Sequence, residues 1–107
     1  MAQRDLKTLL TRAKRTPGKL VVLEITAPHL DLSALKLFAE KGELGRGIIL
    51  YAVSPDFRGK SLVERNEVIS EILDEQLTDR EMEQISHLFT FTPREFRPSV
   101  RKALISR

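Results

Sequence analysis

Two histidines, His29 and His87, fifteen carboxylates and no cysteine define the chemistry open to this 107-residue chain. Without thiols there is no disulfide, no thiolate nucleophile and no cysteine-built zinc site. Two histidines cannot close a four-ligand metal site, so His29 and His87 are candidate ligands only where a partner supplies the remaining donors. No serine stands in a nucleophile-elbow pattern, and neither histidine has an acidic partner at a spacing suited to a triad. Gly59-Lys60-Ser61 has the ending of a phosphate loop, but that pattern requires glycine at position 54, which is Ser54. The chain is therefore read as non-enzymatic, a binding module of some kind.

Charge gives the next constraint. The formal net charge of +3 divides into a basic start, with six basic residues and one acid in 1–20, and a basic end, with five and one in 93–107. Between them, 64–83 carries eight acids against two basic residues. Basic ends beside an acidic centre steer partners of either sign, although a solvated helix face has the same composition. The cations that would meet a partner or a nucleic acid are Lys60, Arg65, Arg94, Arg97, Arg101 and Lys102. The longest apolar run, 48–53, is far short of the ~20 residues of a membrane span, and the N-terminal residues lack the apolar core of a signal peptide. A single cytoplasmic domain spanning 1–107, away from membranes, is the expectation.

The elements that must position these residues follow from periodicity. Leu6, Leu9, Leu10 and Ala13 predict an amphipathic helix over 3–15, within an N-terminal unit of 1–18 that Pro17-Gly18 closes. Leu20–Thr26 reads as a strand. Leu32, Leu35, Phe38 and Ala39 repeat at helical spacing, so 31–41 reads as a short helix. Ile48–Val53 is a strand apolar on both faces. Ser61-Leu-Val-Glu64 and Thr78-Asp-Arg-Glu81 each fit a capping box, placing a helix over 62–77 and a short one after 78. Ile85, His87, Phe89 and Phe91 alternate with polar or smaller residues in a third strand that Pro93 stops, and a last helix begins at Pro93 within the basic tail 93–107. The fold class is α+β, with a three-stranded sheet, helices on one side and a C-terminal helix. A competing arrangement takes 20–26, 31–41 and 47–54 as a βαβ unit with parallel strands.

Two segments carry a family resemblance. Val53-Ser-Pro-Asp-Phe57-Arg-Gly59-Lys60-Ser61-Leu62-Val63-Glu-Arg65 resembles the BolA signature, a strand ending in Phe-x-Gly-x-Ser before a helix with Val-x-Arg-His-Arg. Thr90-Phe91-Thr92-Pro93-Arg-Glu95-Phe96 resembles the end of that family's last strand, Thr-Pro-x-Glu followed by an aromatic residue. The resemblance implies a BolA-like, type II KH-like α-β-β-α-α-β domain. It also implies an adaptor that binds a monothiol glutaredoxin, with a [2Fe-2S] cluster shared between the two, in iron–sulfur handling or redox-linked regulation. This chain departs from the pattern at Asn66 and Glu67, which replace His and Arg of the triplet, and at Ser70, which replaces a tyrosine. Gln84 stands where the resemblance places a cluster-ligating histidine. His87 lies three residues on, and His29 lies in the segment where many relatives hold a second ligand.

The alternative function is a nucleic-acid-binding transcriptional or RNA regulator using the basic termini. The acidic 62–77 helix opposes it, because affinity for phosphates comes mainly from cations. Gly42-Glu-Leu-Gly45 has KH-loop spacing but holds an acid and precedes a strand.

Overall fold

A computed structural model describes residues 6–41 and 47–96. The elements are helix α1 (Leu6–Arg15), strands β1 (Leu20–Ala27), β2 (Leu32–Lys41) and β3 (Ile48–Val53), helices α2 (Leu62–Gln76) and α3 (Asp79–Met82), and strand β4 (Ile85–Phe91). Single 3-10 turns at Pro28–Leu30 and Pro55–Phe57 follow β1 and β3. The sheet order is β1-β2-β3-β4. β1, β2 and β3 form an antiparallel meander, and β4 runs parallel to β3. Parallel neighbours need a crossover connection, and α2 with α3 supplies it.

The α+β class stands, but the sheet has four strands and not three. Residues 31–41, expected to be helical, form β2. Leu35, Leu37 and Ala39 are buried in the core while Lys36 is exposed between them, a period of two. Residues 32, 35, 38 and 39 satisfy a helical period equally well, and Ala, Leu, Lys and Glu favour helices. Pairing decides the outcome: β2 hydrogen-bonds to β1 along one edge and β3 along the other, so tertiary context overrides propensity. The βαβ alternative fails with it, because β2 lies between β1 and β3.

The remaining elements follow the sequence pattern within a residue or two. Leu6, Leu9, Leu10 and Ala13 of α1 and Ile69, Ile72 and Leu73 of α2 are buried in one cluster with Leu35, Leu37, Ala39, Ile48, Leu50 and Ala52 of the sheet. The helices therefore share one sheet face. Each fully buried leucine there contributes about 1.5–3 kcal/mol relative to exposure. Both predicted capping boxes form, Ser61 with Glu64 and Thr78 with Glu81. Residues 1–5 of the expected N-terminal helix, the Gly42–Gly45 segment and most of the expected C-terminal helix lie outside the described residues. Of that last helix, residues 93–96 make one turn, closed by the Phe96 amide on the Thr92 carbonyl at 3.0 Å.

The opposite sheet face has its own order. Strand register aligns Val22, Phe38, Tyr51 and Phe89 in one row across all four strands. Tyr51 is 1% exposed, and its hydroxyl donates to the buried Glu40 carboxylate at 3.1 Å. Phe96 lies over this row, 5.1 Å from Phe38, 5.3 Å from Phe91 and 6.0 Å from Tyr51 between ring centroids.

At the entry to β3, Gly47 has φ +89°, and a Cβ there would sit 3.0 Å from Ser86 Cβ and 3.2 Å from the Gln84 carbonyl oxygen. Gly59 has φ +79° with open space around it. Replacing Gly59 with alanine is expected to cost about 1 kcal/mol, from the left-handed backbone alone. Replacing Gly47 is expected to cost about 2–3 kcal/mol, because the clash adds to the strain. Urea unfolding of both variants checks this, and equal losses would contradict it.

Candidate functional site

The 54–65 loop and helix start are built by short-range bonds around a buried anchor. The Ser54 hydroxyl donates to the Ala34 carbonyl at 2.6 Å and accepts from the Asp56 amide at 3.1 Å. The Asp56 carboxylate reaches across to β2, where it accepts from the Ser33 amide at 2.8 Å and the Ser33 hydroxyl at 3.1 Å. The Ser33 amide is the main reason its pKa lies below the ordinary 3.8. Phe57 then plunges fully into the core, Gly59 turns the chain with positive φ, and Ser61 caps α2 with its oxygen 3.2 Å from the Glu64 amide. The Glu64 carboxyl is held low chiefly by the Ser61 amide that it accepts from.

Arg65 joins this loop to the end of β4. Its Nε donates to the Lys60 carbonyl at 3.1 Å and its Nη1 to Glu95 Oε1 at 3.0 Å, while the guanidinium carbon lies 5.8 Å from the Phe57 ring centre. Glu95 in turn accepts from the Thr92 amide at 2.8 Å, and the Glu95 amide donates to the Thr92 hydroxyl at 3.2 Å. The Thr92 amide, and then Arg65, hold the Glu95 carboxyl below its usual range. Two segments nearly thirty residues apart thus form one unit at the carboxyl end of the two parallel strands.

The expected site residues separate into groups. Lys60, Arg65 and Arg94 lie on the loop and turn that this unit connects, but the Arg65 side chain is 13% exposed and committed internally, so it is not a surface cation. Arg97, Arg101 and Lys102 lie outside the described residues. His29 is exposed after β1, with Nε2 3.2 Å from Glu75 Oε2. His87 is exposed on β4, its ring stacked 6.1 Å from Phe89. The expectation that His87 shares a face with Ile85 fails. The register slips between Ile48 and Ile49, so Ser86 is an extra residue on β4. Ile85 accordingly packs toward the helices, and His87 follows Phe89 and Phe91 to the other face.

The two histidines do not converge. His29 lies in the turn joining β1 to β2 and meets Glu75 of α2, on the helix-covered side, whereas His87 stacks beside Phe89 on edge strand β4. No group of three or more His, Asp or Glu side chains suited to a metal occurs among the described residues. Gln84 contributes its backbone carbonyl to Ile48 at 2.7 Å, and its neutral amide is a poor iron ligand. Among the described residues, then, no side-chain set suited to holding a cluster comes together, and the two histidines stand apart.

Two surface features were not legible from periodicity. Leu62 and Val63, in the first turn of α2, are 63% and 66% exposed. A cleft of about 550 Å³ opens on the sheet face away from the helices, between Glu24, Lys36, Phe38, Val53, Pro93 and Phe96. No helix of the described residues is long and apolar enough to cross a membrane. Neither protein-family models nor curated proteins yield a match to this chain.

The Asp56 bridge makes a pH prediction. A carboxylate with a lowered folded pKa stabilises the fold above its unfolded value of about 3.8 and loses that contribution as pH falls through the folded value. Asp56→Ala should be clearly less stable than wild type at pH 7, with the gap narrowing below about pH 3.8. Urea titrations at both pH values test this, and a gap that widens in acid would contradict it.

Proposed function

We propose that this chain is a BolA-like adaptor, a non-enzymatic domain that binds a protein partner of the monothiol glutaredoxin type in iron–sulfur handling or redox-linked regulation. One observation carries the reading: the two segments that resemble the family's signature are joined through Arg65 and Glu95 at 3.0 Å. Independent look-alikes have no reason to meet in space. The element order is close to the α-β-β-α-α-β order that the resemblance implies, differing by one strand more before the helix pair. One further strand is present here, which makes the family topology a proposal together with the function.

A [2Fe-2S] cluster shared with the partner would take its thiolates from the partner, because this chain has none. His87 is the better placed of the two histidines, being exposed on an edge strand, whereas His29 already meets Glu75. The test mixes the protein with cluster-loaded monothiol glutaredoxin and records complex formation, visible absorption and circular dichroism. A complex with altered spectra is expected, with the spectral change lost in His87→Ala and kept in His29→Ala. A complex with unchanged spectra would remove the cluster and keep the adaptor. No complex would overturn the proposal.

The exposed Arg12, Lys14 and Arg15 in the last turn of α1 favour one second reading, the nucleic-acid-binding regulator. It requires DNA or RNA affinity that falls steeply with salt, and no binding at low salt would remove it.

A further inference from the structure

The sheet face turned away from the helices holds a pair of opposite charges that the fold does not use. Glu24 of β1 and Lys36 of β2 stand directly opposite each other in the antiparallel register, and Val53 of β3 completes their row. Opposite charges so placed ordinarily pair across the strands. Here both residues are exposed, and neither side chain forms an ion pair or hydrogen bond among the described residues. Both line the cleft of about 550 Å³ beside Phe96, a volume within the range of about 300–1,000 Å³ usual for small-molecule sites.

The cleft changes character from one end to the other. Its charged end is the Glu24–Lys36 pair. One strand further across, Val53 is only 7% exposed, and Phe38, Pro93 and Phe96 wall the space beside it. The Phe38 and Phe96 rings lie 5.1 Å apart between centroids and are tilted by 35°, so an apolar group at this end meets two aromatic rings. That wall is built in advance. Pro93 and Phe96 belong to the turn that Thr92 and Glu95 close and that Arg65 ties to the start of α2.

We propose that this cleft binds a free aromatic α-amino acid. A lone anion on Lys36 meets the repulsion of Glu24, and a lone cation on Glu24 meets that of Lys36. An α-amino acid carries both charges on one carbon and satisfies both residues at once. Its ammonium donates to the Glu24 carboxylate, and its own carboxylate accepts from Lys36 Nζ. The side chain then extends over Val53 toward Phe38 and Phe96, where an aromatic ring makes offset or edge contacts. An internal peptide segment matches poorly, because its amide bonds remove both charges. Such a site stands apart from the adaptor reading, since it uses neither His87 nor a partner.

The test titrates isotope-labelled full-length protein with L-phenylalanine, 3-phenylpropionate, 2-phenylethylamine and glycine, followed by NMR. The last three lack the cation, the anion and the ring, respectively. L-phenylalanine is expected to bind at least ~tenfold more tightly than any of them, with shift changes centred on Glu24, Lys36, Phe38 and Phe96. Lys36→Met should reduce L-phenylalanine to the level of 2-phenylethylamine, and Glu24→Gln should reduce it to that of 3-phenylpropionate. Both positions are exposed, and an unchanged circular dichroism spectrum shows that the variants fold.

Equal affinity for all four probes, shifts centred elsewhere, or no shift at up to about 10 mM ligand would overturn the proposal. Equal binding of N-acetyl-L-phenylalanine amide would also overturn it, by making an uncharged peptide segment the occupant. Movement of the cleft resonances in an Arg101→Glu/Lys102→Glu protein without ligand would do the same for the chain's own tail. The experiment contains neither glutaredoxin nor cluster, so its failure and that of the iron–sulfur reading are distinguishable.

Discussion

The guanidinium of Arg65 is the contact on which the joining of the 54–65 loop to the end of β4 depends. A cation so little exposed is tolerable only if its donors are satisfied and its charge is compensated. Here a carbonyl, a carboxylate and an aromatic face share that task. The consequence is geometric. Arg65 sits in the first turn of α2, Lys60 in the loop before it, Phe57 in the core beneath and Glu95 beyond the end of β4. Fixing one side chain therefore fixes the mutual position of a loop, a helix start and a strand end. Bidentate or forked recognition of this kind suits arginine and not lysine.

That junction exists because β3 and β4 are parallel neighbours, so both strands end on the same side of the sheet. β3 is apolar on both faces, with Ile48, Leu50 and Ala52 toward the helices and Tyr51 and Val53 toward the other side. A strand of that kind must be interior, and here β2 and β4 flank it. The crossover through α2 and α3 then carries the acidic helix across one face, leaving its outer side and its first apolar turn to solvent. The meander β1–β2–β3 adds width, and its outer face carries the aromatic row on which Phe96 rests.

Much of this was legible in the residues. Capping boxes at Ser61 and Thr78 announced both helix starts, because their side-chain pairings are local and independent of the rest of the fold. The two-sided apolar character of Ile48–Val53 announced a central strand. What failed was 31–41, whose spacing satisfies both periods and whose fate is decided by the strands on either side of it, a non-local fact. The bulge at Ser86 was equally hidden, since one unpaired residue leaves no mark on an alternating pattern and yet moves Ile85 and His87 to opposite faces. Arg65 was expected at the surface, as arginines usually are. Its acceptor Glu95 is thirty residues away, and only the motif resemblance, not the charge pattern, hinted that the two segments belong together.

The decisive question is whether those two segments are energetically one unit. A double-mutant cycle between Arg65→Met and Glu95→Gln, read by urea unfolding at neutral pH, addresses it directly, and each single change leaves the Thr92 and Ser61 caps in place. If Arg65 joins loop, helix and strand end as described, the coupling is expected to be about 0.5–3 kcal/mol in favour of the native pair. Losses that simply add, within about 0.3–0.5 kcal/mol, would contradict it and leave the meeting of the two motifs without energetic meaning.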